Sequence, residues 1–160
     1  LLERAAAEGF GITIHAGEAG PPAHVWEAIT ELYAQRIGHG IQSSRDRALM
    51  ERLCEQNIVL EVCPTSNFHT GAVASPHLHP LAALVQAGVP VALSSDDPSI
   101  SDIRLTDEYY FAVAEAGMNP AALSQMVLTA ASHAFLPPTE KSALLARLRS
   151  DLSAITNLPL

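Results

Sequence analysis

Charge is what this sequence has least of. Only 16% of its 160 residues are Asp, Glu, Lys or Arg, against the ~25% of an average soluble domain. The basic sign is the scarcer: 9 Lys+Arg against 17 Asp+Glu leave a formal net charge of −8. With no Lys/Arg cluster to follow a phosphate backbone, nucleic acid is excluded as a partner. No apolar run approaches the ~20 residues of a membrane span. The longest, 81–85 and 88–93, have strand or core-helix length, so no membrane partner is expected. Two cysteines, Cys54 and Cys63, are too few for a disulfide scaffold and match no thiolate metal spacing. They read as free thiols in a reducing, cytoplasmic compartment. No secretory leader is expected, since Leu1-Leu2-Glu3-Arg4 is not a basic region followed by an apolar core. The sequence does not begin with Met and is expected to open inside a helix over 1–8, ended by Gly9. It reads as an excerpt from a longer chain.

What is present is apolar. At 48% hydrophobic the chain is too apolar for disorder, and a domain of this length buries about 70% of its unfolded surface. Strand and helix signals alternate. Residues 11–15 (GITIH) read as a strand and 21–33 as a helix with Val25, Ile29 and Leu32 on one face. A short strand at 36–38 precedes a helix over 44–56. A third strand, 58–62, ends at Cys63-Pro64, and a Gly/Ser/Pro/His-rich loop runs to Pro76. A helix over 80–87 closes at Gly88, and a fourth strand, 89–93, runs into SSDDP. Strands then stop. Helices are expected over 106–116, from the Asn119-Pro120 cap to about 135, and from Pro137-Pro138 onward.

Repeated βα units predict an α/β fold of parallel strands with helices outside. An open doubly wound sheet competes with part of a (β/α)8 barrel. A full barrel takes ~250 residues, and four strands fall in residues 11–93. The expectation is half a TIM barrel with a helical extension over 119–156. Two open strand edges and an apolar inner face follow from that picture.

Polar groups gather at the strand C-terminal ends, where parallel α/β folds place their sites. They are His15 and Glu18 (HAGE), His39 (GHG), Thr65-Ser66-Asn67, and Asp96-Asp97 (SSDDP). Each has a plainer reading. His15 alone fits a hydrogen-bonded core histidine, Glu18 a solvent-facing loop residue, His39 a turn residue. One of the two aspartates fits a helix cap before Pro98. Adjacent carboxylates at an apolar strand end repel, however, unless a cation or donors offset them. His77-Leu78-His79 has a zinc-binding form, but the flanking Pro76 and Pro80 disfavour a strand there. His24, His69 and His133 carry no constellation.

The segments TIHAGEAG (13–20), RIGHG (36–40), LEVCPTSN (60–67), SSDDP (94–98) and DEY (107–109) resemble the adenosine deaminase family of metal-dependent amidohydrolases. They are similar to its second half, barrel strands five to eight, so that residues 1–160 form a single incomplete barrel domain. The resemblance implies that His15 and Asp96 ligate zinc and that Glu18 donates a proton to N1 of the purine. It implies that His39 orients the attacking water or assists its deprotonation, and that Asp97 hydrogen-bonds N7. The implied reaction is hydrolytic deamination of adenosine or 2'-deoxyadenosine to the inosine product and ammonia. Adenine or another 6-aminopurine is the alternative substrate, and a non-catalytic half-barrel remnant or binding module the alternative outside enzymes.

The family's His-x-His pair on the first barrel strand has no counterpart here. A catalytic zinc normally has three protein ligands, so the remaining ones are expected from an N-terminal half. The isolated chain is expected to bind zinc weakly, to show little activity, and to self-associate or pair with that half.

Overall fold

The structure is a computed structural model describing residues 1–156. Four parallel strands form one sheet: β1 (Thr13–Ala16), β2 (Arg36–His39), β3 (Val59–Val62) and β4 (Val91–Leu93). Their spatial order is β1-β2-β3-β4. Each strand lies beside its successor in sequence, whereas a doubly wound sheet reverses direction at a switch point. Strictly sequential order is that of a barrel wall, which decides between the two expected architectures.

Registered residues share a face. Ile14, Ile37, Leu60 and Val91 are aligned across all four strands, and Ile37, Leu60 and Val91 belong to the buried core. Helix α1 (Leu2–Ala7) precedes β1, and the helices α2 (Pro22–Thr30), α3 (Arg47–Glu55) and α5 (Leu81–Gln86) cover this face. They contribute Val25, Ala28, Leu49, Leu53, Leu81 and Leu84, none more than 1% exposed. Burial of the valine and leucine side chains among them stabilises by about 1.5–3 kcal/mol each.

The opposite face is mixed rather than wholly apolar as expected. It carries Thr13, Arg36 and Glu61 beside Val59 and Ala92. The Arg36 guanidinium pairs with the Glu61 carboxylate, donating from Nε at 2.6 Å, and Thr13 Oγ1 donates to the same carboxylate at 3.2 Å. Each charged group is offset by its neighbour's, so this face tolerates polarity. Among the described residues, no helix is long and apolar enough to cross a membrane.

Three local expectations need correction. The stretch 44–56 is a 3-10 turn, Ile41–Arg45, followed by α3. Asp46 makes the break: its carboxylate accepts from Leu49 N, as an N-cap does, and from Trp26 Nε1 at 2.9 Å. The expected loop after β3 begins instead with α4 (Pro64–His69), with proline at its first position. A four-residue helix, α6 (Pro98–Ser101), follows the double aspartate. The chain continues with α7 (Leu105–Ala114), α8 (Pro120–Ser132) and α9 (Pro138–Thr156).

Glu108 of α7 holds α4 in place. It is 0% exposed and its carboxylate accepts from Thr65 N at 3.1 Å. Burial raises its pKa, outweighing the lowering by the Thr65 hydrogen bonds. The folded state therefore binds this proton more tightly than the unfolded chain does. The associated stability is present at low pH and is lost as pH rises from the ordinary carboxylate value through the raised one. Glu108→Gln should remove that dependence. Thermal unfolding of both proteins at about pH 4.5 and about pH 7 checks it: the wild type should lose more stability than the variant on going to the higher pH.

Candidate active site and metal centre

The strand C-terminal ends meet as the sequence pattern requires. His15 projects from β1 onto the open face. Its imidazole lies across Gly38 of β2, the residue in register with it. A Cβ at Gly38 would stand 2.9 Å from the imidazole carbons, so glycine there is a requirement of the ring's position. Gly17, with φ +66, then turns the chain so that Glu18 returns over the same spot.

His39 lies in register with Ala16, on the alternation that faces the helices. Its backbone, however, has φ 63. The left-handed conformation turns the ring toward His15, with centroids 5.2 Å apart. Asp96, past the end of β4, has φ 56. Left-handed backbone costs a non-glycine residue about 1–3 kcal/mol and gathers at functional sites. His and Asp are among the residues that bear it best.

One ligand atom from each of His15, His39 and Asp96 lies within 4.8 Å of the other two. Among the described residues these form the one cluster with metal-binding potential. Nitrogen, nitrogen and carboxylate oxygen are donors that zinc takes. Glu18 stands beside the cluster. His39 Nε2 is 3.7 Å from Glu18 Oε2 and 3.9 Å from Asp96 Oδ2.

Helix α4 supplies the supports. Ser66 Oγ donates to Asp96 Oδ2 at 2.7 Å. Asn67 Nδ2 donates to Glu18 Oε1 at 3.0 Å, and Thr70 Oγ1 donates to the same oxygen at 2.9 Å. Gln42 Nε2 fixes the loop by donating to the Glu18 carbonyl at 2.9 Å. Asp97 is placed differently. Its Oδ1 accepts from Ser99 N and Ile100 N, capping α6, which leaves Oδ2 outside the cap.

Two residues that the sequence pattern left without a role support the site. Asn67, 0% exposed, and His79, 7% exposed, are both buried against the site. His79 belongs to the His-x-His run, but its partner His77 turns outward to pair with Glu115, so the run holds no common ion. A cleft of about 700 Å³ opens at the strands' opposite end, lined by Ile12, Arg36, Ile58 and Phe135. It contains none of the clustered residues. Cys63 is 4% exposed, and burial, with the Asp96 charge second, pushes its thiol up to about 12. That rules out a thiolate nucleophile.

The sequence model of the adenosine deaminase family matches residues 2–151. The adenosine deaminase of Yersinia enterocolitica is 42% identical over 149 residues, covering 93% of this chain and 45% of that relative. That of Salmonella typhi is 43% identical over 143 residues, covering 89% and 43%. The crystal structure of adenine deaminase from Arthrobacter aurescens superposes with TM-score 0.89 at 29% identity, covering 96% of this chain and 47% of its own. A zinc-bound amidohydrolase from Burkholderia ambifaria gives TM-score 0.90 at 25% identity, covering 98% and 44%. The chain thus spans a little under half the length of these relatives.

Proposed function

This chain belongs to the adenosine deaminase family, and from that premise we propose that it carries the deaminating half of a zinc enzyme acting on adenosine or 2'-deoxyadenosine. The observation that carries the reading is the convergence of His15, His39 and Asp96 with Glu18 beside them. A binding remnant has no use for the last of these.

His15 and Asp96 would hold the ion, with further ligands from a His-x-His pair elsewhere in the protein. When bound there, zinc supplies Lewis-acid activation of water near neutral pH. The chain's own residues do the rest. Attack on C6 breaks the aromaticity of the base and becomes accessible when N1 is protonated. Glu18 delivers that proton, with its carboxyl aimed by Asn67 and Thr70. His39, between Glu18 and Asp96, orients the attacking water. Asp97 meets N7 through Oδ2, and since N7 is an acceptor, one proton is shared between them. Of the two protons the attacking water gives up, one goes to the C6 amino group, which leaves as ammonia, and the other restores the Glu18 carboxyl.

Residues 1–160 are proposed to supply strands five to eight of a (β/α)8 barrel. The sequential strand order and the coverage of the relatives support this. The open edges at β1 and β4 are where the rest of the wall, or a second copy, would pair. Two free thiols fit a cytoplasmic setting.

Adenosine is favoured over adenine because the adenosine deaminases are 42–43% identical to this chain and the adenine deaminase 29%. A panel of adenosine, 2'-deoxyadenosine and adenine, followed by loss of absorbance near the adenine band, tests the proposal on the complete protein. Fastest turnover is expected on a nucleoside. Preference for adenine would overturn the substrate assignment, and no turnover of any of the three would overturn the enzymatic one.

A further inference from the structure

We infer that Asn67 and His79 act as a positioning relay that fixes His39 as the Nε2–H tautomer. His39 thereby becomes a hydrogen-bond donor to the reacting oxygen rather than a third metal ligand or a base. The assignment rests on the reading given under Proposed function for what the tautomer accomplishes, but not for the tautomer itself.

The relay starts at a backbone group, which has no choice of role. Leu81 N–H donates to His79 Nδ1 at 3.1 Å, so Nδ1 carries no proton. Burial pushes the His79 imidazole down to about 4, which keeps the ring neutral, with its one hydrogen on Nε2. That hydrogen points at Asn67 Oδ1, 3.2 Å away. The Asn67 amide is thereby oriented, with oxygen to His79 and nitrogen to the site. Its two N–H groups have two acceptors, Glu18 Oε1 at 3.0 Å and His39 Nδ1 at 3.1 Å. Turning the amide over would set Oδ1 against a carboxylate oxygen and leave His79 Nε2–H facing a donor. The second penalty falls in a buried setting, where an unmade hydrogen bond costs about 1–3 kcal/mol, and the first falls at a part-buried carboxylate.

With Nδ1 accepting, a neutral His39 carries its hydrogen on Nε2. That nitrogen faces the gap between Glu18 Oε2 and Asp96 Oδ2. A protonated nitrogen has no lone pair for a metal. The spacing of His15, His39 and Asp96 would admit three ligands, and the relay withdraws one. What remains is a donor aimed at an oxygen held between the metal ligands and the acid. The same amide also aims Glu18, so one side chain registers both groups that address the water and the base.

The tautomer is read by 15N NMR of histidine-labelled, zinc-loaded complete protein. His39 should show an unprotonated, pyridine-type Nδ1 and a protonated Nε2. A protonated Nδ1 or a metal-bound Nε2 overturns the inference whatever the enzyme's activity. His79→Leu removes the donor while keeping an apolar side chain in place. It should mix the two His39 tautomers and lower kcat by about 10- to 100-fold, the range for outer-shell partners of a metal site, with KM and zinc content nearly unchanged. His79→Gln, whose amide can donate to Asn67 Oδ1, should restore a single tautomer and most of kcat. A tautomer unmoved in His79→Leu, or loss of rescue in a folded His79→Gln, also counts against the relay. Absence of adenosine turnover alongside the expected wild-type tautomer would defeat the proposed substrate and leave the relay standing.

Discussion

Glu18→Gln is expected to lower turnover of adenosine by about 100- to 10,000-fold, the range for loss of a general acid, while the protein keeps its zinc. The substitution is nearly isosteric. Its Oε1 can still accept from Asn67 and Thr70, as the carboxylate does at 3.0 and 2.9 Å, so the loop should hold its shape. An amide cannot give up a proton to N1. Glu18 also stands outside the group of atoms close enough to share an ion. Metal analysis beside steady-state rates therefore separates two possibilities. Near-normal zinc with lost turnover fits an acid. Loss of zinc would make Glu18 a ligand, and retained turnover would remove it from proton transfer.

Asp96→Asn should act in the opposite way, with the metal lost first and activity following. Asparagine tolerates the left-handed backbone that Asp96 adopts at φ 56, and it can still accept from Ser66. The fold should survive while the anionic ligand disappears. Removing an outer-shell partner already costs about 10- to 100-fold in metal affinity, and loss of a direct ligand should exceed that. After dialysis against a chelator, the wild type should retain about one zinc per chain and Asp96→Asn close to none. His39→Asn should retain it. Equal zinc loss in His39→Asn and Asp96→Asn would make all three residues ligands.

The βα alternation made the strands legible, because β-branched runs such as GITIH stand between helical patterns of a different period. Their parallel pairing followed from the repeat, but their sequential order did not, because a doubly wound sheet repeats the same βα unit. The convergence of His15, Glu18, His39 and Asp96 was legible as position, since each falls at a strand end. How His39 reaches the open face was not: its place in the strand points it toward the helices, and only φ 63 turns it back. Helix α4 went unseen because six residues are too few to display a 3.6-residue period, although proline at its first position was a usable signal. Glu108 stood in the DEY motif with no visible task, since its partner, Thr65 N, is 43 residues away. His79 was hidden by its neighbour: a His-x-His run raises a metal question, and the structure sends the two rings to different places. The mixed open face was within reach of the sequence, because Arg36 and Glu61 sit on the same alternation as Gly38 and His15.

The placement of a metal at His15 and Asp96 is the claim on which the mechanism depends. Anomalous diffraction at the zinc edge, on crystals of the complete protein, tests it most directly. The expected result is a single strong peak about 2.0–2.2 Å from an imidazole nitrogen of His15 and a carboxylate oxygen of Asp96, with His39 Nε2 farther out. A zinc peak bonded to neither residue, or none at the strand ends of fully active protein, would contradict the account.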